Sequence, residues 1–250
     1  MKKENLVLIH SFPTNKTILA GLIKYLEEYF NIYPIDLPGF NTGVPPLEKI
    51  SVKNYARYVD KKITELKLKN YILGGVSFGF LIANQCKMER ECKSILALEP
   101  FINIDYLRLN PLVRTFLATV TKIIYKTKLY NFAYRTSIFK WALTKLKIPK
   151  NSIGKILETV DARTLFKTAG IILSDKQEIE LHRKPYILAV NENDRLIRSK
   201  KIIDLFEKVP KLLVVKTSSN HYPKDLSKEY FRKHINKKEI SKTLDFLENI

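Results

Sequence analysis

The chain of 250 residues is predicted to form an α/β fold, a mostly parallel sheet with helices on both faces that is interrupted by a helical insertion. Three observations carry this prediction. Short apolar strands alternate with amphipathic helices towards both ends, the alternation stops in the middle, and a Gly-containing pentapeptide joins one strand to the next helix. We therefore expect a core at 1–101 and 183–250, with a helical cap at 102–182.

The first core segment is predicted to contain four strands and three helices. The strands are short runs of apolar and β-branched residues, which fits strands buried on both faces. Turn-forming residues separate the elements, as in the loop Asp36–Gly43. The elements are a strand at Asn5–His10, a helix from Thr14 or Asn15 to Phe30, a strand at Ile32–Ile35, a helix from the capping Ser51 to Leu66, a strand at Asn70–Val76, a helix ending near Met88 and a strand at Ser94–Leu98.

The middle of the chain shows helical periodicity and no strand pattern over 102–182. Six aromatic side chains in or directly before this stretch are expected either to line a pocket for an acyl or aromatic substrate or to pack the insertion. They are Phe101, Tyr106, Phe116, Phe132, Phe139 and Trp141. Alternation then resumes with a strand at Pro185–Val190, a helix at Ser199–Lys208, a strand at Lys211–Val215 and a final helix at Lys238–Leu247.

The chain is a basic protein with a net charge of +19, and its basic residues are concentrated in one stretch. Residues 106–155 hold eleven basic residues and no Asp or Glu. Such a stretch attracts an anionic membrane, an acidic substrate or nucleic acid, although a lysine-rich composition coating a solvated face also explains it. No nucleic-acid-binding module is recognised, so no nucleic-acid partner is expected. The basic residues are Arg108, Arg114, Lys122, Lys126, Lys128, Arg135, Lys140, Lys145, Lys147, Lys150 and Lys155.

Other features of composition concern the compartment of the protein. No apolar stretch approaches the roughly 18 residues of a membrane span, and the apolar run near the N-terminus is too short for a signal peptide. The two cysteines, Cys86 and Cys92, are too few for a disulfide framework or a typical metal site. We therefore expect a cytoplasmic protein, with peripheral contact to an anionic membrane as an open alternative.

The pentapeptide Gly75-Val76-Ser77-Phe78-Gly79 is the most informative feature of the chain. It lies between a predicted strand and a predicted helix, which places Ser77 at the apex of a sharp turn. A serine held there exposes its hydroxyl, and nearby N–H groups at the helix start can stabilise an oxyanion. Gly75 and Gly79 leave room for the turn, and Ser77 must accept a strained backbone. The pattern predicts a nucleophile.

A serine nucleophile needs a base, and four histidines are available. His221 follows the last predicted strand, where ligands bind in parallel sheets, and is therefore the expected base. His10 ends the first strand, His182 precedes a strand, and His234 lies in a basic helical stretch.

The carboxylate that orients the base should also follow a strand. Asp194 follows the strand at Pro185–Val190 and is the expected acid. Glu192 in the same loop and Glu99 at the end of another strand are alternatives. All three acids could instead cap a helix or stabilise a turn.

The chain order Ser77, Asp194, His221 is that of an α/β-hydrolase, and the sequence resembles this family over nearly its whole length. The helical stretch resembles the cap that many members carry between the nucleophile and the acid. The other matching segments are the loop His10–Pro13, the loop Asp36–Phe40, the acid loop Asn191–Ile197 and the histidine loop Asn220–Pro223.

The resemblance implies a serine hydrolase that cleaves an ester or thioester of a small or acyl substrate through a Ser-His-Asp triad and an acyl-enzyme. It implies oxyanion donors at the backbone N–H groups of Phe12 and Phe78, and no metal or cofactor. Ser11 stands where relatives usually carry Gly, so its side chain is expected either to narrow the oxyanion pocket or to alter its entrance. The same fold also supports an amidase, a carbon–carbon hydrolase, an acyltransferase or a non-catalytic binding protein.

Overall fold

The computed structural model describes residues 3–145, 148–174, 176, 179–223 and 225–250; Lys147 of the predicted basic stretch lies outside them. The described strands form one parallel sheet, which confirms the predicted fold class. They are β1 (Glu4–Ile9), β2 (Phe30–Ile35), β3 (Tyr71–Val76), β4 (Cys92–Leu98), β5 (Tyr186–Val190) and β6 (Leu212–Lys216). Their spatial order is β2-β1-β3-β4-β5-β6.

Helices cover both faces of this sheet. They are α1 (Ala20–Leu26), α2 (Val52–Leu66), α3 (Phe78–Ala83), α4 (Pro111–Lys126), α5 (Tyr130–Tyr134), α6 (Ser137–Lys145), α7 (Lys150–Thr159), α8 (Ala162–Ser174), α9 (Ser199–Phe206), α10 (Lys228–His234) and α11 (Lys237–Glu248). One apolar core lies between the sheet and α2, α3 and α9, and a second lies between the sheet and α1, α10 and α11.

Several element boundaries differ from the sequence prediction. The capping of α2 by Ser51 is confirmed, because the Ser51 side chain accepts a hydrogen bond from the N–H of Asn54. The first helix is shorter than predicted: Asn15 accepts a hydrogen bond from the N–H of Ile18 in a turn, and α1 begins only at Ala20. The predicted helix ending near Met88 ends at Ala83, and the basic helical stretch around His234 is the end of a helix, α10, that begins at Lys228.

The helices α4 to α8, which we call the inserted helices, lie in the chain between β4 and β5. Helix α4 packs against α8, and apolar side chains of the inserted helices join the core on the α2 side. A bridge between Leu107 and Ile197 ties the start of this segment to the loop after β5. Across the described residues, no helix is both long and apolar enough to span a membrane.

The strand order creates a crevice at the carboxyl edge of the sheet. From β1 the chain passes outward to β2 and then returns to β3 on the other side of β1. The loops that follow β1 and β3 therefore run in opposite directions along the sheet. Ligands bind in the crevice that opens where the strand order reverses in this way. Both cysteines are buried and unpaired, away from this edge.

Candidate active site

The turn between β3 and α3 holds Ser77 in a strained conformation. Ser77 has φ 49° and ψ −114°, a left-handed backbone that costs a non-glycine residue about 1–3 kcal/mol. A Cβ atom on Gly75 would lie 2.4 Å from the backbone nitrogen of Phe80, and one on Gly79 would lie 2.5 Å from the carbonyl oxygen of His10. The two glycines are therefore required by close backbone approach, as the sequence predicts.

His221 lies in the loop after β6, and its ring reaches back to the turn. Nε2 of His221 lies 2.9 Å from Oγ of Ser77, within hydrogen-bonding distance. Nδ1 of the same ring lies 3.3 Å from Oδ2 of Asp194, and both side chains are buried. This second distance is longer than a well-formed N–H···O hydrogen bond, and neither atom has another partner among the described residues. The structure thus brings the three predicted residues together, with the ring of His221 between Ser77 and Asp194.

Asp194 is fixed by its own loop. Oδ1 accepts hydrogen bonds from the backbone N–H groups of Leu196 at 2.6 Å and Ile197 at 2.8 Å, which leaves Oδ2 to face His221. Burial alone would raise the pKa of Asp194, but the interaction with His221 and the two amide donors outweighs it and holds the pKa below its ordinary value. Asp194 is therefore ionised at neutral pH.

The alternative acids occupy different positions. Glu192 is exposed and pairs with Lys216 at 2.8 Å, away from the histidine ring. Glu99 is part of the cluster: one oxygen of Glu99, one of Asp194 and one ring nitrogen of His221 all lie within 4.8 Å of one another. Glu99 therefore lies beside the Asp194–His221 pair, whereas Glu192 does not.

The other histidines have different partners. Nε2 of His182 lies 2.8 Å from the carbonyl oxygen of Asn84, and Nδ1 of His234 lies 2.8 Å from the Ser218 hydroxyl. His10 is buried behind the loop after β1, and burial lowers its pKa from 6.5 to about 4. Neither His182 nor His234 reaches Ser77.

His10 organises the loop that carries the predicted oxyanion donor. Its Nε2 accepts a hydrogen bond from the N–H of Leu37 at 3.0 Å, so the neutral ring carries its proton on Nδ1. Nδ1 then donates to the carbonyl oxygen of Ser11 at 2.9 Å. The Ser11 hydroxyl lies 2.8 Å from that of Thr14. The ring and the hydroxyl pair together fix the start of the loop.

The backbone N–H groups of Phe12 and Phe78 belong to two adjacent loops, one after β1 and one after β3. Neither group donates a hydrogen bond to another backbone or side-chain group of the described residues. The carbonyl of Phe12 is held by the hydroxyl of Tyr222, which donates to it at 2.6 Å. Sequence reasoning missed this role of Tyr222, although its position directly after His221 was a signal.

Two cavities adjoin His221. One has a volume of about 80 Å³ and is lined mainly by apolar side chains in and around α1, α7 and α10 and at the strand ends, together with Ser11 and Tyr222. The other, of about 870 Å³, is an open cleft between His221 and the start of α7, with Lys150 and Arg195 in its wall. None of the six aromatic residues predicted to line a substrate pocket contacts either cavity. The prediction that they line the pocket is therefore wrong for these two cavities. Phe116, Phe132 and Trp141 are instead exposed to solvent.

No protein-family model matches the sequence. Two curated proteins match part of it, both described as Pimeloyl-[acyl-carrier protein] methyl ester esterase. The protein from Pseudoalteromonas atlantica is 35% identical over 81 residues, 32% of this chain and 30% of that protein. The protein from Wigglesworthia glossinidia brevipalpis is 36% identical over 83 residues, 32% of this chain and 29% of that protein. The similarity therefore spans about a third of the length of these relatives.

Solved structures resemble the chain over nearly its whole length. An esterase from Thermogutta terrifontis has a TM-score of 0.66 at 13% identity, covering 98% of this chain and 91% of that one. A hydrolase from Oleispira antarctica has a TM-score of 0.69 at 15% identity, covering 100% and 93%. An epoxide hydrolase from Bacillus megaterium has a TM-score of 0.65 at 14% identity, covering 100% and 94%. At such identities the likeness establishes the fold: the chain has the α/β-hydrolase fold.

Proposed function

We propose that the protein is a serine hydrolase that cleaves an ester or thioester of a small or acyl substrate. The observation that carries the proposal is the 2.9 Å distance between Nε2 of His221 and Oγ of Ser77 at the apex of the strained turn. The buried Asp194 behind the ring gives the base the orienting carboxylate that such catalysis needs. The partly matching curated relatives are named as methyl ester esterases, which favours an ester as the first substrate to test.

In the proposed mechanism, Oγ of Ser77 attacks the carbonyl carbon while Nε2 of His221 takes the hydroxyl proton. Asp194 keeps the other proton on Nδ1 and stabilises the imidazolium that forms. The N–H groups of Phe12 and Phe78 would hold the developing oxyanion, each contributing about 3 kcal/mol by analogy with single-donor deletions. Nε2 then protonates the leaving group, and a water activated by His221 releases the acyl group.

The inserted helices would act as a cap over this site. Ile148 and Pro149, at the start of α7, line both cavities beside His221 together with Tyr222. A substrate entering through the open cleft would therefore contact the insertion and the catalytic loop at the same time. The substrate preference would depend on this contact, whereas the chemistry would depend on the sheet edge.

Hydrolysis of short and long p-nitrophenyl esters by the wild type, Ser77→Ala and Glu192→Gln tests the proposal. We expect the wild type and Glu192→Gln to turn over substrate at rates within about twofold of each other, since Glu192 is exposed and pairs with Lys216. We expect Ser77→Ala to lose at least about 10³-fold in kcat. Full activity in Ser77→Ala would refute Ser77 as the nucleophile. No turnover by the wild type would favour an amidase, a carbon–carbon hydrolase, an acyltransferase or a non-catalytic binding protein.

We further propose that the inserted helices dock on an anionic membrane. Of the eight large apolar side chains exposed among the described residues, seven lie between positions 112 and 141. Leu112, Phe116 and Ile123 form a stripe on α4, opposite the face that buries Leu117 against the fold. Exposed apolar residues beside basic ones, in a stretch without acidic residues, are typical of helices that lie in a lipid interface.

Co-sedimentation with phosphatidylglycerol and phosphatidylcholine vesicles tests this docking. We expect binding to the anionic vesicles that falls at high salt and is lost in the Leu112→Ser, Phe116→Ser, Ile123→Ser variant. The control is Leu66→Ser, which changes the eighth exposed apolar residue, on α2. Absence of binding, or equal binding to both vesicle types, would contradict the proposal.

A further inference from the structure

Glu99 is a second acid at the candidate active site, and its backbone is strained. It directly follows β4 with a φ of 44°, in the left-handed region that a glutamate rarely adopts. Its N–H donates a hydrogen bond of 2.8 Å to the carbonyl oxygen of Ala189, so the neighbouring strand holds it there. Strain of this kind persists where the surroundings require a particular side-chain direction. Here the side chain is directed towards Asp194 and His221.

In the cluster of Glu99, Asp194 and His221, one oxygen of each acid has no hydrogen-bond partner among the described residues. Oε1 of Glu99 accepts from the hydroxyl of Thr217 at 3.1 Å, and Oδ1 of Asp194 is occupied by two amides. The remaining oxygens, Oε2 of Glu99 and Oδ2 of Asp194, are buried and lack a hydrogen bond within the described residues. Two carboxylate oxygens can only accept, so they satisfy each other only if one of them carries a proton.

The surroundings decide which carboxyl carries that proton. Asp194 has two amide donors and the ring of His221, whereas Glu99 has the Thr217 hydroxyl and the backbone of Asn191 and borders the apolar cavity. Burial raises the pKa of Glu99 well above its ordinary value, and the negative charge of Asp194 adds to this effect. No lysine or arginine forms an ion pair with either acid in the described part of the chain. The titratable groups that face Glu99 are Asp194 and His221.

We propose that Glu99 is a positioning residue that stays protonated at neutral pH and donates its O–H to Oδ2 of Asp194. Oxygens of the two carboxyl groups lie within 4.8 Å of each other. Oδ2 then accepts from both Glu99 and Nδ1 of His221, and this fixes the carboxylate in the direction that holds the ring. Glu99 keeps its proton throughout and does not touch the substrate. The catalytic consequence rests on the proposed hydrolase function, but the protonation state does not.

Infrared difference spectroscopy, in which the spectrum of Glu99→Gln is subtracted from that of the wild type, measures the protonation state of Glu99 directly. We expect the wild type at pH 7 to show the C=O stretching band of a neutral carboxylic acid, and Glu99→Gln to lack it. Glu192→Gln, which alters an exposed acid, should keep the band. A wild-type spectrum without this band, or a band that survives Glu99→Gln, would overturn the proposal whether or not the protein is a hydrolase.

Kinetics with two Glu99 variants tests the positioning role. Glu99→Gln keeps a neutral donor, so its kcat should stay within about threefold of wild type, and it should lack any loss of activity caused by Glu99 ionising at alkaline pH. Glu99→Met removes the donor and should lower kcat about tenfold with little change in KM. In an Asp194→Asn background the Glu99→Met effect should vanish, because Glu99 acts through Asp194.

Circular dichroism and thermal melting show that each variant is folded. A folded Glu99→Gln variant that loses as much activity as Glu99→Met would mean that Glu99 works as an anion, which contradicts the proposal. Full activity in a folded Glu99→Met variant would also contradict it. Absence of ester turnover in every protein, with the infrared band present, would refute only the proposed hydrolase function.

Discussion

The carboxyl edge of the sheet and the inserted helices place polar and apolar side chains in opposite ways. At the sheet edge, His10, Ser77 and Asp194 are buried polar groups with defined partners. On the inserted helices, large apolar groups such as Phe116 and Phe132 are exposed. Buried polar groups are costly unless satisfied, and exposed apolar groups gain nothing from folding. The first arrangement suits fixed chemistry, and the second suits contact with something outside the chain.

Changing Asp194 is the most severe way to disturb the sheet edge while keeping its shape. In the proposed mechanism, Asp194→Asn removes the charge that orients the ring of His221, and we expect kcat to fall about 10⁴-fold. Glu192→Gln in the same loop should have no such effect. Ester hydrolysis measured on both variants checks the prediction, and equal activity in the two would contradict the assignment of Asp194.

The pH dependence of stability tests the buried His10. Its pKa is lowered to about 4 in the folded protein, so the unfolded chain binds the additional proton between pH 6.5 and about 4. The stabilisation is therefore complete above pH 6.5 and is lost as the pH falls, by about 3 kcal/mol in all.

Thermal melting of the wild type and of His10→Asn across this range measures the effect. The variant should show a shallower loss of stability on acidification than the wild type. Parallel curves for His10→Asn and the wild type would contradict a buried neutral His10.

The hydroxyl of Tyr222 offers a smaller change at the same edge. Tyr222→Phe removes the hydrogen bond to the carbonyl of Phe12 and loosens the loop that carries the Phe12 amide. If the loosened loop costs about 1 kcal/mol of transition-state stabilisation, kcat should fall roughly fivefold with KM unchanged. Tyr58→Phe on α2 is the control. An unchanged kcat in Tyr222→Phe would mean that this hydrogen bond does not position the loop.

The sequence predicts the sheet edge much better than the inserted helices. Ser77, Asp194 and His221 are recognisable because each follows an apolar strand, and strand ends of a parallel sheet must meet. The hydrogen bond of Tyr222 to Phe12 joins two loops far apart in the chain, so the position of Tyr222 beside His221 does not by itself indicate its partner. Six aromatic residues were expected in a pocket or in packing, yet three of them, Phe116, Phe132 and Trp141, are exposed, because periodicity does not say which face of a helix is covered.

The smallest expected effect belongs to the inserted helices. Phe116→Ser should change the free energy of unfolding by no more than about 0.5 kcal/mol, because the side chain is already 60% exposed. Phe80→Ala, in the fully buried core, should cost about 3–5 kcal/mol. Urea denaturation of both variants checks this contrast. A large loss in Phe116→Ser would mean that the exposed stripe supports the fold rather than an outside contact.

Labelling with an alkyl fluorophosphonate, followed by mass spectrometry of the intact protein and its peptides, tests the central claim most directly. The wild type should gain a single adduct on Ser77, Asp194→Asn should label much more slowly, and Ser77→Ala should not label. An unlabelled wild type, or an adduct on a residue other than Ser77, would contradict the account of Ser77 as a nucleophile activated by His221 and Asp194.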